Sequence, residues 1–128
     1  MEESKTNSIS QMIGATLTII KGAVGADEIV FCSSDGRRWV MNHLQDCCES
    51  VYVEDIAGDL SDLIGSPIVQ AEESSNKDEQ IDGKPGYSDS FTWTFYRIAT
   101  AKGLVVIRWL GESNGYYSES VDFYEMTA

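Results

Sequence analysis

Basic residues are scarce in this sequence: nine Lys and Arg stand against 21 Asp and Glu in 128 residues, a formal charge of −12. A chain this acidic repels other polyanions, which argues against direct binding of nucleic acid or of an anionic membrane. Long apolar runs are missing too, and none approaches the roughly 18 residues needed to cross a bilayer as a helix. The opening residues, MEESKTNS, show neither the basic nor the apolar segment of a signal peptide. Cysteine is sparse, and three is an odd number, which suits a reducing cytosol better than a disulfide framework. A single histidine leaves few options for acid–base pairing, so a non-enzymatic protein without a cofactor is expected.

What is present points to one domain. Apolar residues make up 42% and charged ones 23%, a globular composition, and the length matches a single core that folds without metal or disulfide. The charge is concentrated. Residues 46–89 hold twelve acids against Lys77 and Lys84, a net of −10, so almost the whole excess lies in the middle third. A concentrated charge creates a local field able to select a basic partner.

Residues 1–8 read as a disordered lead and 9–128 as the domain. Ile9 to Gly14 can form one helical turn. The period then changes to two: Thr16–Lys21, Glu28–Ser33 and Arg37–His43 are β-rich runs, the last two joined by the turn dipeptide Asp35-Gly36. Val51–Ile56 is a fourth run. A short helix follows, with Asp59 as its cap, Leu60, Leu63 and Ile64 as its apolar stripe, Gly65 as its end and Pro67 beyond it. Pro67–Glu72 reads as a strand and 74–88 as a long mobile loop. Phe91–Thr100, Leu104–Leu110 and Ser118–Met126 read as three strands in a meander, turning at Lys102-Gly103 and Asn114-Gly115. In that register Arg97 faces Arg108, with Glu119 diagonal to Arg108 as its counter-charge. The fold expected is α+β, mainly antiparallel β: a curled or barrel-like sheet of seven to eight strands with one or two short helices.

Three sets of residues carry candidate chemistry. His43, Cys47 and Cys48 supply ligand types that suit zinc, but adjacent cysteines point apart and no second ligand pair accompanies them. A thiolate at Cys47 or Cys48 with His43 as base is a related reading. Against both stands an ordinary one, in which His43 is a core-edge histidine bonded to backbone and a cysteine packs inward as a small hydrophobe. A disulfide between neighbours, or to Cys32, is disfavoured by ring strain and by compartment. The second set is the acids Glu49, Glu54, Asp55, Asp59, Asp62, Glu72, Glu73, Asp78, Glu79 and Asp82. They lack the calcium-loop pattern and read either as a solvated face or as an imitation of a phosphate backbone. The third is Tyr116 and Tyr117, aromatics after a turn that can anchor an interface.

The run DGRRWVMNHLQDCCESVYVEDIAGDLSDLIGSPIVQAEE, with TWTFYRIATAKGLVVIRWLGESNGYYSESV further on, resembles a family of small bacteriophage and prophage proteins known as a domain of unknown function. His43-Leu44-Gln45-Asp46-Cys47-Cys48-Glu49 and the Ser-Asn-Gly-Tyr-Tyr turn are its specific parts. The resemblance implies a phage accessory protein acting in the host bacterial cytoplasm, and it supplies no catalytic residues. By analogy with small acidic phage proteins it implies an inhibitor of host defence, of the anti-CRISPR kind. The partner expected is the basic surface of a host complex such as a CRISPR effector, and a homodimer is compatible with the sequence. The alternatives are a metal- or thiol-dependent protein centred on His43, Cys47 and Cys48, and a virion or assembly module.

Overall fold

A computed structural model describes residues 8–45, 48–77, 90–113 and 118–126. Within them the β periodicity forms eight strands: β1 Leu17–Lys21, β2 Glu28–Ser33, β3 Arg38–Asn42, β4 Ser50–Ala57, β5 Gln70–Lys77, β6 Ser90–Thr100, β7 Gly103–Ser113 and β8 Asp122–Met126. They pair antiparallel into two four-stranded sheets, ordered β1-β2-β3-β8 and β4-β7-β6-β5. Neither sheet closes. The barrel-like single sheet expected from the sequence is thus corrected to two open sheets sharing one core. That core takes Leu17, Ile29, Phe31, Trp39, Met41 and Phe123 from the first sheet and Val53, Tyr96, Ile98, Ile107 and Trp109 from the second. Alternation along β2 buries Ile29, Phe31 and Ser33 and leaves Glu28 on the outer face, the pattern of a strand with one covered side.

Both helical segments are single 3-10 turns, Ile9–Met12 and Leu60–Leu63. The second follows the expected punctuation. Asp59 Oδ1 accepts from Ser61 N at 3.0 Å and from Ser61 Oγ at 2.8 Å, and these bonds hold its carboxyl below the usual value. Leu63 is buried, and the turn docks on the β6–β7 hairpin tip. There Thr100 Oγ1 donates to Asp62 O at 2.5 Å and Lys102 Nζ to Ile64 O at 2.6 Å. A lowered carboxyl contributes stability above its unfolded value and loses it as pH falls through the folded one. Asp59→Ala therefore lowers the thermal midpoint at neutral pH, whereas Asp59→Asn, which still caps, stays close to wild type. Thermal melts of both variants at neutral and acidic pH check this.

Three further expectations change. The polar loop begins later than Ser74, because Ser74–Lys77 continue β5 against Phe95–Thr92 of β6; residues 78–88 of that loop lie outside the described part. An edge strand tolerates polar side chains on both faces when its backbone is paired. The β6–β7 turn is Ala101-Lys102, so Arg97 faces Val106 and Arg108 faces Phe95, and the two arginines are not opposed. The counter-charge of Arg108 is Glu54, at 2.6 and 2.9 Å, rather than Glu119, and the guanidinium lies 5.2 Å from the Trp93 ring centre.

The third change is topological. β8 does not continue the meander beside β7; it pairs with β3 in the other sheet. The chain crosses between sheets over Gly111, where a Cβ would lie 2.3 Å from the Glu119 carbonyl oxygen. Only a residue without a side chain lets a second backbone pass so close to a paired strand. Glu119 then anchors the crossing from below, accepting from Ser113 Oγ at 2.5 Å and from Thr92 Oγ1 at 2.7 Å.

Candidate functional site

The two sheets leave a groove where the edge strands β5 and β8 approach each other. One lobe, of about 500 Å³, is lined by Asn42, Leu44, Glu73, Val121, Asp122, Phe123 and Tyr124. A second, of about 290 Å³, shares Glu73 and Val121 and adds hydroxyls from Ser75, Thr92, Thr94, Ser118 and Ser120, with Glu119 between them. The register explains the polarity. Ala71, Glu73 and Ser75 share the inner face of β5, and Glu73 lies directly across from Tyr96 of β6. Ala71 reaches the core, whereas Glu73 reaches the opening between the sheets.

Electrostatics at the groove are acidic. Partial burial pushes the Glu73 carboxyl above the usual carboxylate range. Asp122 of β8 lines the same lobe, and Asp122, Asn42 and Glu28 form one row across the outer face of the first sheet. The outer strands of that row lie roughly 10 Å apart. None of Glu28, Glu73 and Asp122 forms an ion pair with another described residue. Across the ladder from Glu73 lies Tyr96, fully buried, whose hydroxyl has no hydrogen-bond partner among the described residues. Its proton is held far more tightly than usual, first by burial and then by the charges of Glu73 and Asp122.

An acid whose folded value is raised costs nothing below its unfolded value and its full penalty above the folded one. Glu73→Gln is therefore expected to raise stability at about pH 7 and to leave it unchanged near pH 3, where both states carry the proton. Denaturation midpoints at the two pH values measure the difference.

The residues expected from the sequence are scattered by the fold. Glu49 is buried, and its Oε2 meets His43 Nε2 at 2.7 Å. Glu54 is paired with Arg108, Asp59 caps its turn, and Asp62 packs beside Gly103. Asp55 is exposed, 4.0 Å from Arg108. Glu72 is exposed on the outer face of β5, across from Arg97. β4 and β5 are opposite edges of their sheet, so Asp55 and Glu73 stand three strand spacings apart, roughly 14 Å. That exceeds the screening length of about 8 Å at physiological salt. The described acids of 46–89 thus do not form one patch. The acidity at the groove comes instead from Glu73, Glu119 and Asp122, two of which lie outside that segment. Asp78, Glu79, Asp82, Tyr116, Tyr117 and Cys47 lie outside the described residues.

The cysteine–histidine cluster is also revised. Cys48 is disulfide-bonded and Cys32 is a free thiol, so the expectation that no disulfide forms is corrected, and Cys48 is not a thiolate. His43 is a core-edge histidine bonded to backbone, as the ordinary reading has it. Its Nδ1 donates to Ser120 O at 2.8 Å, while Nε2 holds Glu49. With both nitrogens engaged and the side chain 5% exposed, His43 has no free valence for metal or substrate. Among the described residues no group of three His, Cys, Asp or Glu side chains is arranged to hold a metal ion.

The comparison with known proteins bears on the whole fold. A family model described as a domain of unknown function, DUF7448, matches residues 10–123. The chain belongs to that family. The match reaches both sheets of the fold, ending inside β8, and includes every described residue of the groove except Tyr124. No curated protein and no solved structure matches the chain. Among the described residues no helix is long and apolar enough to cross a membrane.

Sequence reasoning missed Asp122, Tyr124 and Leu44 as groove residues, and Tyr96 as the buried residue across from Glu73. One signal was available for Tyr96: it shares a strand face with Thr92 and Thr94, a polar set on a strand whose other face carries Phe91, Trp93 and Phe95.

Proposed function

We propose that this protein is a non-enzymatic binding protein that engages the basic surface of a partner protein, and that it inhibits a host nucleic-acid-handling or defence complex. The observation that supports it is the groove between β5 and β8, where Glu73 and Asp122 stand without a described cation beside an exposed apolar rim. Carboxylates left unpaired at a concave site steer cationic partners and repel nucleic acid itself. The engaged state of His43 and the disulfide at Cys48 support a non-catalytic reading, since neither group is available as base or nucleophile.

A phage origin, an anti-CRISPR target and action in a bacterial cytoplasm are the finer parts of this proposal. They predict that the immobilised protein captures a nucleic-acid-binding effector complex from host lysate at low salt and releases it as ionic strength rises. Recovery of no nucleic-acid-handling or defence protein at either low or moderate salt sinks the proposal.

A further inference from the structure

We infer that the open edge of β5 receives an extended, basic segment of the partner protein, which adds to the β4-β7-β6-β5 sheet as a further strand along the groove. This rests on the reading that the partner is a basic protein, and it names how that protein is held.

The fold closes two of its four sheet edges and leaves two open. Val53 of β4 donates to Ala26 O at 2.8 Å and accepts from Gly25 N at 2.7 Å, and Leu17 of β1 accepts from Gly65 N at 2.9 Å. The other two edges, β5 and β8, border the groove. Among the described residues, neither makes a backbone hydrogen bond beyond its one neighbouring strand.

The ladder identifies the groups left over on β5. Ala99 O accepts from Val69 N at 2.8 Å, so the backbone of Ala99 is turned toward β5. Alternation turns Arg97, Phe95 and Trp93 the same way, and their partners Glu72, Ser74 and Asn76 spend their N–H and C=O groups on β6. The N–H and C=O groups of Glu73 and Ser75 therefore point away from the sheet. These two residues also line the groove, Glu73 in both lobes and Ser75 in the second. Residues 72–76 are all exposed, so a second chain can reach this edge.

Unpaired edges accept extended chains, and the charges beside them decide which. β5 carries Glu72 and Glu73 and β8 carries Asp122 and Glu125, against one base, Lys77. Pairing either edge with an edge of a second copy sets these acids against one another. A basic residue paired with Glu73 instead directs its side chain to the same face, into the lobe that Asp122 also lines. The residue two positions along pairs with Ser75 and enters the hydroxyl-lined lobe. Main-chain bonds then supply affinity, and alternate side chains supply selectivity.

The test uses the full chain and blocked heptapeptides, long enough for the roughly 20 Å of residues 72–77. One alternates lysine and threonine, and a second alternates glutamate and threonine. Two more are the lysine peptide N-methylated on one or the other alternate set of amides. At saturation the lysine peptide is expected to slow hydrogen exchange of the Glu73 and Ser75 amides by about tenfold or more, and the glutamate peptide to leave it unchanged. Methylating one set should abolish binding and methylating the other should not, because the added strand pairs through one edge. Ser75→Pro removes an outward N–H and should abolish binding with a thermal midpoint near wild type, whereas Ser74→Pro breaks the ladder to Phe95 and lowers the midpoint. Ser75→Ala keeps the N–H and should bind as wild type does.

Equal binding of the lysine and glutamate peptides overturns the inference, as does equal binding of the two methylated peptides or no response at Glu73 and Ser75. A midpoint for Ser75→Pro as low as that for Ser74→Pro also overturns it. So does protection of those amides that grows with protein concentration alone, the mark of a second copy on the edge. If wild type and Ser75→Pro capture the same host complex equally, strand addition falls and the broader reading stands. If the lysine peptide pairs with β5 but no nucleic-acid-handling or defence complex is captured, strand addition stands and the host-complex reading falls.

Discussion

His43→Ala is expected to cost about 3–5 kcal/mol, the range for breaking a buried charged pair by removing one member. Against the 5–15 kcal/mol that holds a typical domain together, that is a large share, and the thermal midpoint should fall by about 10 °C or more. The size follows from what the imidazole joins. It leaves β3, bonds Glu49 at the entry to β4, and bonds Ser120 in the crossing that precedes β8. The carbonyl of Ser120 can only accept, so Nδ1 carries a hydrogen, and the hydrogen that bridges the pair sits on Nε2 or on the Glu49 carboxyl group. Removing the ring takes away one partner of the Glu49 carboxyl group, which is itself without solvent exposure. Glu49→Gln should be far milder, because an amide N–H can donate to Nε2 of a neutral imidazole in the same geometry. Urea unfolding of both single variants and of the double variant separates the pair from its surroundings. A cost below about 1 kcal/mol for His43→Ala would show that the pair is not structural.

The same residue shows how far the sequence could be read. Strand alternation puts His43 on the Trp39 and Met41 face and so anticipates a core-edge role with a backbone partner. It cannot anticipate Ser120, which is 77 positions away and arrives only because β8 belongs to the other sheet. Local features survive best. The Asp35-Gly36 turn, the limits of β2 at Glu28 and Ser33, and the Asp59 cap depend on residues next to one another. Charge read along the chain fails for the opposite reason. Of the described acids of 46–89, Glu54 and Asp55 fall on β4 and Glu72 and Glu73 on β5, which two other strands separate, while Glu73 and Asp122 are brought to one groove from positions 49 residues apart. Register fails narrowly: placing the turn at Ala101-Lys102 keeps Arg97 and Arg108 on the outer face but changes what each one opposes.

Two of those losses, the partner of His43 and the meeting of Glu73 with Asp122, share one origin, the crossing from β7 to β8, and it sets the last prediction. Gly111→Ala is expected to cost about 3 kcal/mol or more, at the upper end for overpacking. The added methyl would lie 2.3 Å from the Glu119 carbonyl oxygen and 2.8 Å from its Cβ. Relief by moving β7 is blocked, because Gly111 is paired with Val51 on one side and Thr92 on the other. Relief by moving the crossing separates Glu119 from Ser113 and Thr92, and bonds to a carboxylate are worth about 1.5–3 kcal/mol each. The crossing also carries Ser120, the acceptor of His43, and Val121, which lines both lobes of the groove. Gly111→Ala should therefore weaken partner binding beyond its effect on the folded fraction, with amide shifts spreading to residues 118–123. Gly14→Ala, where the added methyl meets nothing within 4 Å but the backbone has φ +91°, is the control for glycine strain alone, at about 1–2 kcal/mol. If Gly111→Ala unfolds at the same urea concentration as wild type, the crossing is not packed on β7, and the route by which β8 leaves the meander has another cause.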